Sequence, residues 1–149
     1  MFFLFVASEA NAVSLLGRMG VGMTKQLKGD LTGLSLKVQQ TRESALGVIA
    51  AVSADEDVTD YAFGGKYYQI LFDEPHLNFY GAGMLAMLKT NDKSGYQVDA
   101  TLGSVFHIPG IESLGFSFEF GVSLNKVDGI RSIETTGYNF FNAAIHFYL

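Results

Sequence analysis

Tyr138-Asn139-Phe140-Phe141-Asn142-Ala143-Ala144-Ile145-His146-Phe147-Tyr148-Leu149 is the stretch that decides the fold. Counted back from Leu149, every second residue is apolar: Phe147, Ile145, Ala143 and Phe141. The residues between them are mixed: Tyr148, His146, Ala144, Asn142 and Phe140. A period of two is the strand period, because successive side chains point to opposite faces of a sheet.

The same alternation recurs upstream. From Phe116 to Asn125 it is clearest, with Phe116, Phe118, Phe120, Val122 and Leu124 against Ser117, Glu119, Gly121, Ser123 and Asn125. Tyr96 to Phe106 sets Val98, Ala100 and Leu102 against Gln97, Asp99 and Thr101. Leu77 to Leu88 sets Leu77, Phe79, Leu85 and Met87 against Asn78, Tyr80 and Ala82. In Tyr61 to Phe72, Phe63, Gly65, Tyr67 and Leu71 oppose Gly64, Lys66 and Tyr68; Gln69 falls on the apolar side, which marks a bulge or a band edge. Leu31 to Gln40 sets Leu34, Leu36 and Val38 against Ser35, Lys37 and Gln39, and Val13 to Gln26 sets Gly17, Met19, Val21 and Met23 against Arg18, Gly20, Gly22 and Thr24. Ala45 to Ser53 is apolar on both faces; its phase is open, and a buried helical turn fits it as well.

Polar punctuation separates these runs. Short turns are expected at 41–44, 72–76 and 107–114, and loops at 27–31, 54–60, 89–95 and 126–137, with 54–60 acidic. The result is about eight strands in a single domain over 13–149, with no convincing helix between them. No run approaches the ~20 apolar residues of a transmembrane helix. Yet the chain is 48% hydrophobic and only 17% charged, with mean hydropathy +0.22. Alternation is how a sheet spreads that apolar content.

An eight-stranded sheet can close with its apolar face outward, in lipid, or inward, around a ligand. The mixed face has too few charges for a solvated surface: Arg18, Lys37, Lys66, Asp99 and Glu119, with His146. Its Gly, Ser, Ala, Thr and Asn suit a cramped interior. The expectation is therefore an all-β, closed eight-stranded antiparallel up-and-down transmembrane barrel, because lipid tolerates no open sheet edge. Those five charged residues and His146 then form a lumen charge network that plugs the barrel, eight strands leaving an interior just filled by side chains. Lipid-facing positions are Met19, Val21, Phe63, Phe79, Leu102, Phe116, Phe118, Phe120, Phe141, Phe147 and Leu149.

The last strand resembles the C-terminal signal of bacterial outer-membrane β-barrels, with Leu149 where that signal has a closing Phe. From Val13 to Leu149 the pattern is similar to small barrels such as the OmpX family and the transmembrane domain of OmpA. That resemblance implies a structural or surface-interaction protein in the bacterial outer membrane. It also implies contact with outer-membrane lipid and lipopolysaccharide, delivery to the barrel-assembly machinery through the C-terminal strand, and a monomeric state. Residues 1–12, apolar from Met1 to Ala7 with Ala10-Asn11-Ala12 as a small-x-small site, resemble the remnant of a signal peptide.

Several chemistries find no support. There is no cysteine, so disulfides, thiolate metal sites and cysteine nucleophiles are excluded. The net charge is −5 and no basic stripe exists, so nucleic acid is not an expected partner. No Gly-x-Ser-x-Gly elbow, phosphate loop or His-Glu-x-x-His occurs. No catalytic residue, cofactor or metal is expected; His76 and His107, in turns on one rim, read as polar turn residues before metal ligands. Two rival functions remain, each with its own test. A soluble lipocalin-like barrel binding an apolar ligand requires Phe116, Phe118 and Phe120 buried. An outer-membrane lipid-modifying enzyme requires His146 for turnover.

Overall fold

The computed structural model describes residues 15–28, 31–55, 58–90, 93–136 and 141–149. The leader expected over 1–12 and the start of the first run lie outside them. The described residues form nine strands: β1 (Met19–Thr24), β2 (Gly33–Gln39), β3 (Ser44–Asp55), β4 (Val58–Glu74), β5 (Leu77–Thr90), β6 (Lys93–Ile108), β7 (Ile111–Val127), β8 (Ile130–Thr135) and β9 (Asn142–Tyr148). Each pairs antiparallel with its neighbour, and β9 closes on β1 through Gly20↔Tyr148 to Thr24↔Ala144. The nine strands make eight staves. β9 pairs with Leu114–Glu119 of β7 and β8 pairs with Val122–Val127, so the two share one stave. The chain is all-β and forms a closed, eight-stranded antiparallel barrel.

The turns explain most departures from the sequence reading. The loop expected over 126–137 is, as far as Thr135, a hairpin: Asp128 and Gly129, both at positive φ (53° and 78°), tighten a two-residue turn from which β8 returns along β7. Asp-Gly is the favoured pair for a turn with two left-handed residues. The first strand begins only at Met19. Gly17 sits at φ 74° in the turn before it, and the Gly17 amide donates to the Gln39 carbonyl, so the run from Val13 is broken there. Ala45–Ser53 is strand, with Ala45, Gly47, Ile49 and Ala51 inward. At 41–44 the Thr41 hydroxyl accepts the amides of Glu43 and Ser44, which fixes that short turn. The irregularity signalled by Gln69 is a register shift between Ile70 and Phe72, after which Phe72 opposes Phe79 on the outer face.

Burial follows the alternation. Outward residues on every stave are large and apolar, such as Leu34, Leu36, Leu46, Phe63, Leu85, Met87, Leu102, Phe120 and Ile145. Inward residues are small or polar, including Ser35, Lys37, Lys66, Gln97, Asp99, Thr101, Ser117, Glu119 and Asn142. The arrangement inverts a water-soluble barrel. Of the phenylalanines a lipocalin-like interior would bury, Phe118 and Phe120 are 44% and 51% exposed, and Phe116 is half-buried against Phe106 on the outer wall.

Candidate functional site: the filled lumen

The lumen is built in layers. Near the hairpin-loop end, the segment after β1 does not stand away from the barrel as a loop. It folds inward, and Gln26 and Leu27 are each 3% exposed. Leu27 packs against Ile49, Ala51, Ala62, Met84, Ala86 and Leu88. The three alanines in this collar leave the space that one leucine fills. Just below, Gln26 Nε2 donates to Asp99 Oδ2 at 2.9 Å, and Gln97 Nε2 donates to the same carboxylate at 3.0 Å. The Lys28 amide donates to Gln97 Oε1 at 2.9 Å, which ties the inward segment to β6.

The central layer carries the charge pair. Lys66 Nζ donates to Glu119 Oε2 and, at 2.5 Å, to Gln26 Oε1. The Tyr80 hydroxyl donates to the other Glu119 oxygen at 2.7 Å. Lys37 Nζ stands 4.3 Å from the centroid of the Tyr68 ring and 5.1 Å from that of Tyr80. Such contacts favour an ammonium group over an aromatic face. Gly103 makes the floor of this layer. A Cβ there would lie 2.8 Å from Tyr80 Cζ, Glu119 Cγ and the Phe118 carbonyl oxygen. Buried charges are costly unless paired and hydrogen-bonded, and each partner of this pair has a second hydrogen bond, Lys66 to Gln26 and Glu119 from Tyr80.

Of the six residues expected in the lumen network, Lys37, Lys66, Asp99, Glu119 and His146 are buried inside the barrel. Arg18 is not among them: it precedes β1 and is exposed, because the run read from Val13 is broken at Gly17 and the strand starts only at Met19. Without it, two lysines face two carboxylates and the interior charge balances, where the sequence count left an excess of one. Lys66 and Glu119 meet directly, and Gln26 bridges Lys66 to Asp99. The uncharged members, Gln26, Gln97, Tyr68 and Tyr80, were absent from the expected network. Their signal was their place on the mixed face. Of the expected outward positions, Met19, Phe63, Phe79, Leu102, Phe118, Phe120, Phe141, Phe147 and Leu149 are exposed, and Val21 and Phe116 are half-buried.

One contact was not foreseen from spacing. Ser35 Oγ lies 2.9 Å from His146 Nε2, across 111 residues of sequence. A serine–histidine contact suggests acyl transfer, but here both groups are sealed. The cavity they share with Lys37, Lys66 and Glu119 measures about 10 Å³, space for about one water molecule. The pair can orient the imidazole, but no substrate fits beside it.

No protein-family model matches the chain, and no curated protein or solved structure shows significant similarity to it.

Proposed function

We propose that this barrel spans the bacterial outer membrane as a structural or surface-interaction protein whose lumen is filled by side chains. One observation carries the reading. Among the described residues, the outward face bears no Asp, Glu, Lys or Arg from Tyr61 to Phe72 on β4, from Tyr96 to Ile108 on β6, or from Phe116 to Leu124 on β7. Val98 to Ile108 is ten residue steps, roughly 33 Å of strand at ~3.3 Å per residue. A tilt of about 40° reduces that to a height of roughly 25 Å, the height of the apolar band on outer-membrane barrels. Water would expose this band at a large cost in apolar surface; hydrocarbon removes the cost.

The reading also gives the lumen its task. Beyond the apolar collar around Leu27 the interior is polar, so the Lys66–Glu119–Tyr80 and Gln26–Asp99–Gln97 contacts hold the staves from within. The short turns between β2 and β3, β4 and β5, and β6 and β7 would face the periplasm, with the β7–β8 hairpin outside the cell. Outer-membrane lipid and lipopolysaccharide are then the wall's neighbours, and β9 is the strand offered to the assembly machinery.

The test uses heat modifiability. Protein refolded in detergent should migrate differently on a gel before and after boiling, and should enter lipid vesicles. Phe118→Arg places a charge on the outward face, at a cost of about 2–4 kcal/mol if that site lies near the bilayer midplane. Undiminished vesicle insertion of this variant would show that the face is not in lipid.

A further inference from the structure

Two histidines are backbone neighbours at the end of the barrel that carries the short turns. The His107 amide donates to the His76 carbonyl at 2.9 Å, so His76, in the turn just before β5, lies across from His107 on β6. His107 points inward and is 4% exposed. Neither of its ring nitrogens has a hydrogen-bond partner, and neither does His76 Nδ1. The backbone of Glu112 and of Leu114, in the irregular start of β7, lies beside the His107 ring. The Tyr148 ring stands 5.5 Å from it, with its hydroxyl also unpartnered. Of the five buried side-chain polar atoms without a partner among the described residues, four belong to this cluster. Folded proteins leave few such groups unpaired, and each one calls for an explanation such as an ion or a water.

The backbone at His76 is the second oddity. Two turns at this end are built alike, Pro75-His76 and Pro109-Gly110, each with a positive φ after the proline. Gly110, at 87°, is the residue such a turn favours. His76 holds 69° in the equivalent place, where a side chain is a burden. His76 thus carries an imidazole at a turn position that needs no side chain, across from a second histidine whose ring nitrogens are buried.

We propose that His76 and His107 form a cross-strand pair that binds a divalent transition-metal ion through their imidazole nitrogens. Neutral imidazole suits zinc, copper and nickel, and affinity among divalent ions peaks at copper. No cluster of three or more His, Cys, Asp or Glu side chains suited to a metal occurs among the described residues. The ion would therefore have two protein ligands, with its other positions left to exchangeable ones. This inference stands whatever surrounds the outer wall.

The test is calorimetric titration with Cu²⁺ and Zn²⁺ of chelator-treated protein, refolded in detergent and purified without a polyhistidine tag. Wild-type protein should bind one Cu²⁺ per chain, and Zn²⁺ more weakly. His76→Gly gives the turn the residue its partner turn already uses, so the barrel should still fold, as heat modifiability would show. Its Cu²⁺ binding should weaken at least tenfold. His107→Gln should do the same, and serves if the glycine variant fails to fold. His146→Asn, deeper in the lumen, should bind as wild type. Failure of wild-type protein to bind either ion, or unaltered Cu²⁺ binding by both rim variants, overturns the proposal.

Discussion

Two lysine–glutamate pairs sit in this molecule in opposite surroundings. Lys66 and Glu119 meet inside the barrel, with side chains 2% and 4% exposed. Lys28 and Glu134 meet at 2.7 Å beside the β8 hairpin, with side chains 36% and 49% exposed. The chemistry is the same, but the consequences are not. In the lumen each charge depends on its partner, because bulk water does not replace a lost one. At the hairpin, water and salt stand in for either group. A polar lumen is thus held by contacts that are individually hard to remove, whereas the rim is decorated by contacts that can be lost cheaply.

The sharpest way to break this contrast is Glu119→Leu. It leaves Lys66 charged and buried with only Gln26 as a hydrogen-bond partner, and strips the Tyr80 hydroxyl of its acceptor. A loss of about 3–5 kcal/mol is expected, as for other broken buried pairs. Urea unfolding of protein refolded into vesicles would measure it. Lys66→Met added to Glu119→Leu should recover most of that loss, since replacing both charges by apolar side chains is often neutral. If the double variant is no more stable than the single one, the penalty is not that of a stranded charge.

Gly103→Ala tests the same layer by volume instead of charge. The new methyl would press on Tyr80, Glu119 and the Phe118 backbone at once. Overpacking of this kind costs typically 1–3 kcal/mol. Gly65→Ala is the control, because a Cβ there meets nothing within 4 Å. Equal effects of the two substitutions in the unfolding assay would mean that the central layer is looser than its contacts indicate.

The same contrast shows what was legible in the sequence. Alternation alone exposed the staves, since Phe116–Leu124 and Phe141–Leu149 keep one phase throughout, and the sparse charges of the mixed face pointed to the interior. Four things were hidden for physical reasons. Gln26 ends the first alternating run and Leu27 opens the expected loop, but their places are set by Asp99 and by the alanine collar, contacts that local pattern does not contain. Arg18 is thrown out of the lumen by a single left-handed glycine. The β7–β8 hairpin did leave a local mark, Asp128-Gly129, but its strand is polar and exposed and so resembles a loop. The Ser35–His146 contact depends on barrel closure and has no sequence spacing to reveal it.

The smallest expected effect lies at the exposed pair. Hydrogen bonds from Lys28 and Ser132, with the Lys28 charge, hold the Glu134 carboxyl below its ordinary value of 4.5. Over that window the folded state therefore binds fewer protons than the unfolded state. The pair's contribution is fully present above pH 4.5 and fades as pH falls through the lower folded value. Because both side chains are well exposed, it should amount to less than about 1 kcal/mol and shrink in salt. Glu134→Gln should cost that little at pH 7 and low salt, and nothing measurable in high salt. The comparison with Lys66–Glu119 becomes quantitative at this point: the buried pair should be nearly indifferent to salt, since ions do not reach it. A salt dependence of equal size for Glu119→Leu and Glu134→Gln would mean that the lumen is open to bulk electrolyte.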